Sequence, residues 1–543
     1  MVRAKERCDT MRKVWLAILA LCLTVSLVLG GCALFDGGFL MPNIKFENMR
    51  YTRPNVSALR SAAQKVQDQI PEQKNVERLM EDVFAFYECY HDFYTNYALA
   101  DIYYCKDLTD IYWGEEYQYC LDAATEVNSI LDRMLYALAD SELVEQLEAD
   151  NYFGAGFFDD FQGESVWTEA FTALAEQEAQ LQSRYYELNA LASGEDPYSD
   201  AYYENYGAQM AELYVQLVGV RQEMAKEAGY EDYASFAYDY YYYRDYTPAQ
   251  AAVLTEQVLE YLVPVYRQLA GNPVWYLGAT QSTEKETFLY VKETAKAMGG
   301  TVYQAFRRME QGNLYDISAG ANKYNASFEV FLSNYYSPYI FVNPRGTVHD
   351  QLTFAHEFGH FCNDYASGGS VAGVDVAEVF SQGMELLSLC YGGNRPDMEK
   401  LKMADCLSVY VEQAAYASFE QQVYALTGDA LTVENVHALY EQVGKAYGFD
   451  TWNWDSRSYV RITHFFTNPM YIISYVVSND GAVQIYQKER QTPGAGLSLY
   501  EQQLTTEEEY FLSFIQSAGL ESPFQEGRLE QVGKMLKEIL GLE

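Results

Sequence analysis

Apolar residues recur at helical spacing along most of this chain, separated by polar and acidic ones. The clearest such stretches are residues 76–96, 127–143 and 166–191, and each predicts a helix with one buried face. Residues 225–233 predict a helix that stops at Gly229 and another that starts soon after, while Thr247-Pro248 reads as a cap followed by a first-turn proline. Beyond the break at Gly271-Asn272-Pro273, residues 284–297, 403–426, 433–447, 507–515 and 528–540 predict further helices. Strand signals fall at residues 328–332 and 339–342, the second closed by the turn-like Asn343-Pro344-Arg345-Gly346. The fold class is therefore mainly α, a large helical body with a small β element and possible division into two lobes about a cleft.

Composition adds an address and removes a partner class. Arg3, Lys5, Arg7, Arg12 and Lys13 precede an almost wholly apolar segment, residues 14–30, which is the layout of a signal sequence. Its end, Leu29-Gly30-Gly31-Cys32, resembles the lipobox of bacterial lipoproteins. That resemblance implies cleavage before Cys32 and a lipid on it: residues 1–31 are the signal, 32–55 a tether and 56–543 the body, held outside the cell membrane on its outer face. An uncleaved N-terminal anchor is the alternative. The formal net charge of −40 would repel nucleic-acid phosphates, so no nucleic-acid partner is expected. The 50 tyrosines suit a helical body that buries rings and hydrogen-bonds hydroxyls, and Tyr240 to Tyr243 read as packing residues, with the lining of a groove as the alternative. Cys89, Cys105, Cys120, Cys362, Cys390 and Cys406 have the spacing of neither a dense disulfide framework nor a cysteine zinc site; Cys362 and Cys390 read as small core residues.

The chemistry concentrates in Ala355-His356-Glu357-Phe358-Gly359-His360. Histidines four apart share a helical face, so His356 and His360 can reach one ion while Glu357 addresses water beside it. Catalytic zinc takes three protein ligands and keeps a position for water or substrate. Glu378, which opens a second apolar helix running to Leu387, is the candidate third ligand, with Glu385 as its rival. Asp375 or Glu385 can accept the free ring N–H of a ligating histidine. His91 and His437 read as structural, and His349 precedes the metal helix closely enough to touch a cleft. The strands just upstream offer an edge on which an extended peptide could lie.

The ordered blocks resemble the M3 family of zinc metallopeptidases: Pro338 to Asn343, Thr353 to His360, Asp375 to Glu385, then Arg461-Ile462-Thr463-His464-Phe465 followed by Tyr471 and Tyr475. The resemblance implies a helical body with a deep cleft that cuts short peptides rather than large folded proteins. It places zinc on His356, His360 and Glu378, the general base on Glu357, and transition-state donors on His464 and on Tyr471, Tyr475 or both. Three features depart from the family's pattern: a shorter interval from His360 to Glu378, Asn363 where a histidine is common, and a slightly different spacing from His464 to Tyr471. The alternatives are a peptide-binding lipoprotein with a structural zinc site, closed by a fourth protein ligand, or a zinc hydrolase of non-peptide amides.

Overall fold

The computed structural model describes residues 44–71, 74–149, 152–154, 156–161, 166–192, 195–196, 199–369, 373–393, 395–452, 454–506 and 508–543. The expected signal, Cys32 and the first part of the tether lie outside them. Among the described residues no helix is long and apolar enough to cross a membrane.

Residues 44–55, assigned to the tether from sequence, are instead laid against the body. Phe46 and Met49 are buried, the Phe46 ring lies 4.2 Å from that of Tyr339, and Arg53 pairs with buried Glu116. A segment carrying Phe46, Met49 and Tyr51 has apolar surface to bury, which a tether does not. Helices α1 (Val56–Gln69), α2 (Val76–Lys106) and α3 (Ile111–Ala139) follow, each started by a side-chain cap from Asn55, Asn75 or Asp110. They share a core that includes Leu79, Phe86, Val127 and Leu135. α2, at 31 residues, is about 46 Å long. It puts Leu99 and Ile102 into the main core as well, which joins the two.

α4 (Glu169–Leu191) begins three residues later than the apolar pattern suggests because Thr168 caps it, accepting from Phe171 N–H. α5 (Ala208–Glu227) ends just before Gly229, whose φ of 85° takes the chain into the left-handed region. α6 (Pro248–Gln257) starts with a reciprocal capping box between Thr247 and Gln250. α7 (Glu284–Met298) and a further helix, Gly300–Gly312, lead to the sheet: β1 (Tyr315–Asp316), β2 (Ser327–Leu332) and β3 (Ser337–Val342), in the order β1-β3-β2. β3 is parallel to β1, pairing Ile340 with Tyr315, and antiparallel to β2, pairing Ile340 with Glu329. β3 is wholly buried and paired on both sides, so of the two expected strands only the half-buried β2 is an edge strand.

The turn after β3 is tied to the next helix by Asp350, which accepts from the backbone N–H groups of Arg345, Gly346 and Thr347 at 2.7–2.9 Å. α8 (His349–Ser367) and α9 (Val374–Tyr391) then cross closely. Glycine at 359 is what permits the crossing: a Cβ there would sit 2.5 Å from the Phe380 carbonyl oxygen and 2.6 Å from Ser381 Cα. α10 (Pro396–Ser408) runs through a π-helical turn, Val409–Gln413, into α11 (Ala414–Tyr424), so the helix expected at residues 403–426 is longer and interrupted. α12 (Val433–Ala446) precedes the short α13 (Thr463–Thr467) and the buried α14 (Ile473–Gln491), which packs on α9. α15 (Phe511–Ser517) starts later than expected, and α16 (Arg528–Leu540) has the expected bounds. The described cysteines are unpaired; Cys362 is buried in the core, whereas Cys390 is exposed and not the core residue expected.

Candidate metal centre

One turn of α8 separates His356 from His360, and the α8–α9 crossing at Gly359 brings Glu378 to both rings. Glu378 Oε2 lies 3.5 Å from His356 Nε2 and 3.9 Å from His360 Nε2, and one donor atom from each residue falls within 4.8 Å of the others. Donors bound tetrahedrally at about 2.0–2.1 Å stand roughly 3.3 Å apart, so this set needs only small adjustments to grip one zinc ion.

Glu385, the rival of Glu378, falls outside the three-residue cluster. Its carboxylate lies 2.9 Å from His356 Nδ1, so Nδ1–H can donate to it while Nε2 faces Glu378, and it accepts from Lys402 Nζ at 2.6 Å. Asp375 does not meet either histidine. Its carboxylate turns toward the buried Arg244, with Nε at 3.3 Å, because a guanidinium with no exposed side-chain surface is the stronger attraction. Ser381 and Tyr471 donate to the two oxygens of Glu378, at 2.9 and 3.0 Å.

The electrostatics favour a cation. Burial pushes the Glu357 carboxyl up to about 7; His356 opposes the shift, and Glu378 and Glu385 add to it. Burial works against charge on His356, yet its bond to Glu385 and the surrounding carboxylates raise it to about 9. His360 is carried by burial to about 4, which keeps its ring neutral and able to ligate. Glu385 is buried too, but Lys402 and His356 hold it down at about 2. The carboxylates of Glu357, Glu378 and Glu385 surround the two rings, and a divalent ion bound there would take the place of the proton that they favour on His356. Glu329 of β2 lies in the same field: burial, then the charges of Asp364 and Glu357, hold its carboxyl well above the ordinary range, which favours its neutral form.

His464, Tyr471 and Tyr475 converge on the same place. Tyr475 hydroxyl and His464 Nε2 are 3.3 Å apart, and the Tyr471 ring lies 5.6 Å from His464 and 5.2 Å from Tyr475. Tyr475 lies on α14, but Tyr471 precedes that helix, so the pair is assembled by a bend and not by a common helical face. The bend passes through Met470 at φ 66°, a strained value for a side chain of this size. Arg244 donates to the carbonyls of Met470 and Tyr471 and to Ser474 Oγ, and Glu420 accepts the Met470 N–H at 3.0 Å. Arg221, fully buried and paired with Glu178, donates to the carbonyls of Phe465 and Phe466 just beyond His464. Tyr242 hydrogen-bonds the Pro469 carbonyl and packs edge-on against Tyr471, a packing role as expected for the tyrosine run.

No motif marks Arg221, Arg244, Lys402 or Glu420. The one sequence signal for the first two is a base inside an otherwise apolar or aromatic stretch of a strongly acidic chain. His437 bonds Tyr203 and His91 packs among Tyr87 and Tyr90, both away from the centre, while His349 reaches the cleft.

Glu420 yields a pH test. Burial raises its carboxyl to about 8, with the Met470 N–H, Arg221 and Arg244 acting against the shift. A carboxyl raised on folding contributes stability that is full below its unfolded pKa and is lost as pH rises toward the folded value. Glu420→Gln keeps the acceptor for Met470 and removes the titration. The drop in Tm between about pH 5 and about pH 9 is therefore smaller in the variant; an unchanged drop, measured by calorimetry, overturns the assignment.

Residues 46–164 match the family described as Peptidase M3 N-terminal domain. Among curated proteins none matches the chain. Solved structures of similar fold include PZ peptidase A with an inhibitor, at TM-score 0.79 and 20% identity, covering 92% of this chain and 99% of that one. A protein assigned as an oligoendopeptidase F from Bacillus anthracis str. Ames has TM-score 0.72 and 21% identity, over 93% of this chain and 99% of that one. Oligoendopeptidase-F from Enterococcus faecium has TM-score 0.61 and 14% identity, over 90% and 96%. The chain thus has the M3-type zinc metallopeptidase fold, with a His356-His360-Glu378 donor set of the kind that holds zinc.

Proposed function

We propose that this protein is a zinc-dependent endopeptidase acting on short, unstructured peptides, and that a lipid on Cys32 holds it outside the cell membrane. The observation that carries the catalytic reading is the cluster His356, His360 and Glu378 with buried Glu357 beside it. Among the described residues the cluster has three protein donors, as a catalytic site does, and not the four of a closed structural site. Similar solved structures carry the names of peptidases, which favours a peptide bond over another amide.

Bound at these three residues, zinc would supply Lewis acidity toward the scissile carbonyl and the attacking water. Glu357, held near neutrality by its surroundings, takes a proton from that water as its oxygen bonds the carbonyl carbon. It then gives the proton to the amine nitrogen as the C–N bond breaks. His464 and Tyr475, whose polar atoms meet 3.3 Å apart, are the donors for the developing oxyanion. Tyr471, whose hydroxyl is bound to Glu378, orients that ligand. Tyr475→Phe accordingly lowers kcat by about 10²–10³-fold and more than Tyr471→Phe does; the reverse order in steady-state kinetics overturns this division of roles.

Purified protein incubated with a library of short peptides cuts them, loses the activity to a chelator and regains it with zinc. Peptides left intact by zinc-loaded protein overturn the catalytic reading. Mass spectrometry of the membrane fraction finds lipid-modified Cys32 at the new N-terminus, and an intact, unmodified N-terminus in the cytosol overturns the anchor.

A further inference from the structure

Beside the metal centre lies a cavity of about 340 Å³, within the range of pockets that enclose a small ligand or one long side chain. His356 and Tyr475 bound it on the side of the chemistry, so a side chain inside it belongs to a residue flanking the scissile bond. Leu352 and Val409 give it apolar wall, and Asp405 and His349 are also part of its lining.

Its charged groups are not equally satisfied. Glu385 has His356 at 2.9 Å and Lys402 at 2.6 Å, and Lys402 is itself almost wholly buried in that pair. Asp405 differs. Its carboxylate makes no hydrogen bond with a described residue, and its nearest cationic partner is His349 Nδ1 at 3.7 Å, a ring that is charged only when protonated. The side chain is 26% exposed, so an entering group can reach it. Burial raises the Asp405 carboxyl above its ordinary range while Lys402 and His349 pull it back, so another cation at short range would stabilise its charge. A lysine or arginine side chain suits this wall: methylenes lie along Leu352 and Val409 and the charged head reaches the carboxylate. The chain's net charge of −40 would also speed the approach of cationic peptides.

We infer that this cavity is a specificity pocket for a Lys or Arg side chain next to the scissile bond, with Asp405 as its counter-ion. The inference rests on the peptidase reading, and the test separates the two. Matched fluorogenic peptides carrying Lys, Arg, Ala, Leu or Glu on either side of the scissile bond are assayed for kcat/KM with the zinc-loaded enzyme. The same peptides are titrated by fluorescence polarisation against zinc-loaded Glu357→Gln, with and without Asp405→Asn. Lys and Arg exceed Glu at one of these positions by roughly 10²-fold in both readouts. Asp405→Asn, close in shape, lowers that ratio by about tenfold and Asp405→Lys inverts it. Absence of a basic preference in the wild-type enzyme, or an unchanged ratio in Asp405→Asn, overturns the pocket. Hydrolysis without the preference leaves the peptidase reading standing, whereas the binding preference without hydrolysis supports the pocket and removes that reading.

Discussion

Glu357→Gln binds zinc as the wild-type protein does and loses about 10²–10⁴-fold in kcat. Metal retention follows because the donor set is His356, His360 and Glu378, and the α8–α9 contact that assembles it runs through Gly359. The loss follows from the proton inventory. Burial, Glu378 and Glu385 raise the Glu357 carboxyl to about 7 against the pull of His356, so it is a stronger base than an ordinary glutamate. The two other carboxylates at the cluster are engaged: Glu378 is turned to the histidines, and Glu385 is held by Lys402 and His356. Glutamine preserves the shape and cannot take the proton. Elemental analysis and steady-state kinetics on one preparation provide the check. Near-wild-type turnover with one zinc per chain refutes the general-base role; loss of zinc together with turnover makes Glu357 a determinant of binding instead.

How much of this site was legible in the sequence depends on how far apart the interacting residues lie. The pattern of α8 and the opening of α9 expose His356, His360, Glu357 and Glu378 because helical periodicity is local and the two helices are nearly adjacent in the chain. Glu385 was legible as a carboxylate seven residues on from Glu378, but its bond to Lys402 was not, because Lys402 has no local signature. Asp375 went to the wrong partner for the same reason: the residue that claims it, Arg244, lies 131 positions away. The helices of the N-terminal region were readable from their apolar spacing, whereas Phe46 packs on Tyr339, a ring of the sheet almost 300 residues downstream. β1, two residues long, is below the length at which a strand leaves a period in the sequence.

Arg244 carries the second large effect. Arg244→Met destabilises the protein by about 3–5 kcal/mol, because it leaves Asp375 buried without its cation. It also lowers kcat by about 10–100-fold, since Met470 is strained at φ 66° and Arg244 holds that carbonyl, the next one and Ser474 in place. The two losses have different origins and come apart in a double variant. Arg244→Met with Asp375→Asn removes the uncompensated charge, so Tm recovers toward wild type. Nothing in that variant restores the donors to the bend before Tyr475, so kcat stays low while KM for a short peptide changes little. Arg244→Lys sits between, with a charge for Asp375 but without the planar fork that reaches several acceptors at once. If kcat recovers together with Tm in the double variant, Arg244 serves only the fold. If kcat stays low at restored stability, it is a positioning residue for Tyr471, which holds Glu378, and for the donor Tyr475, acting through backbone carbonyls and not through the substrate.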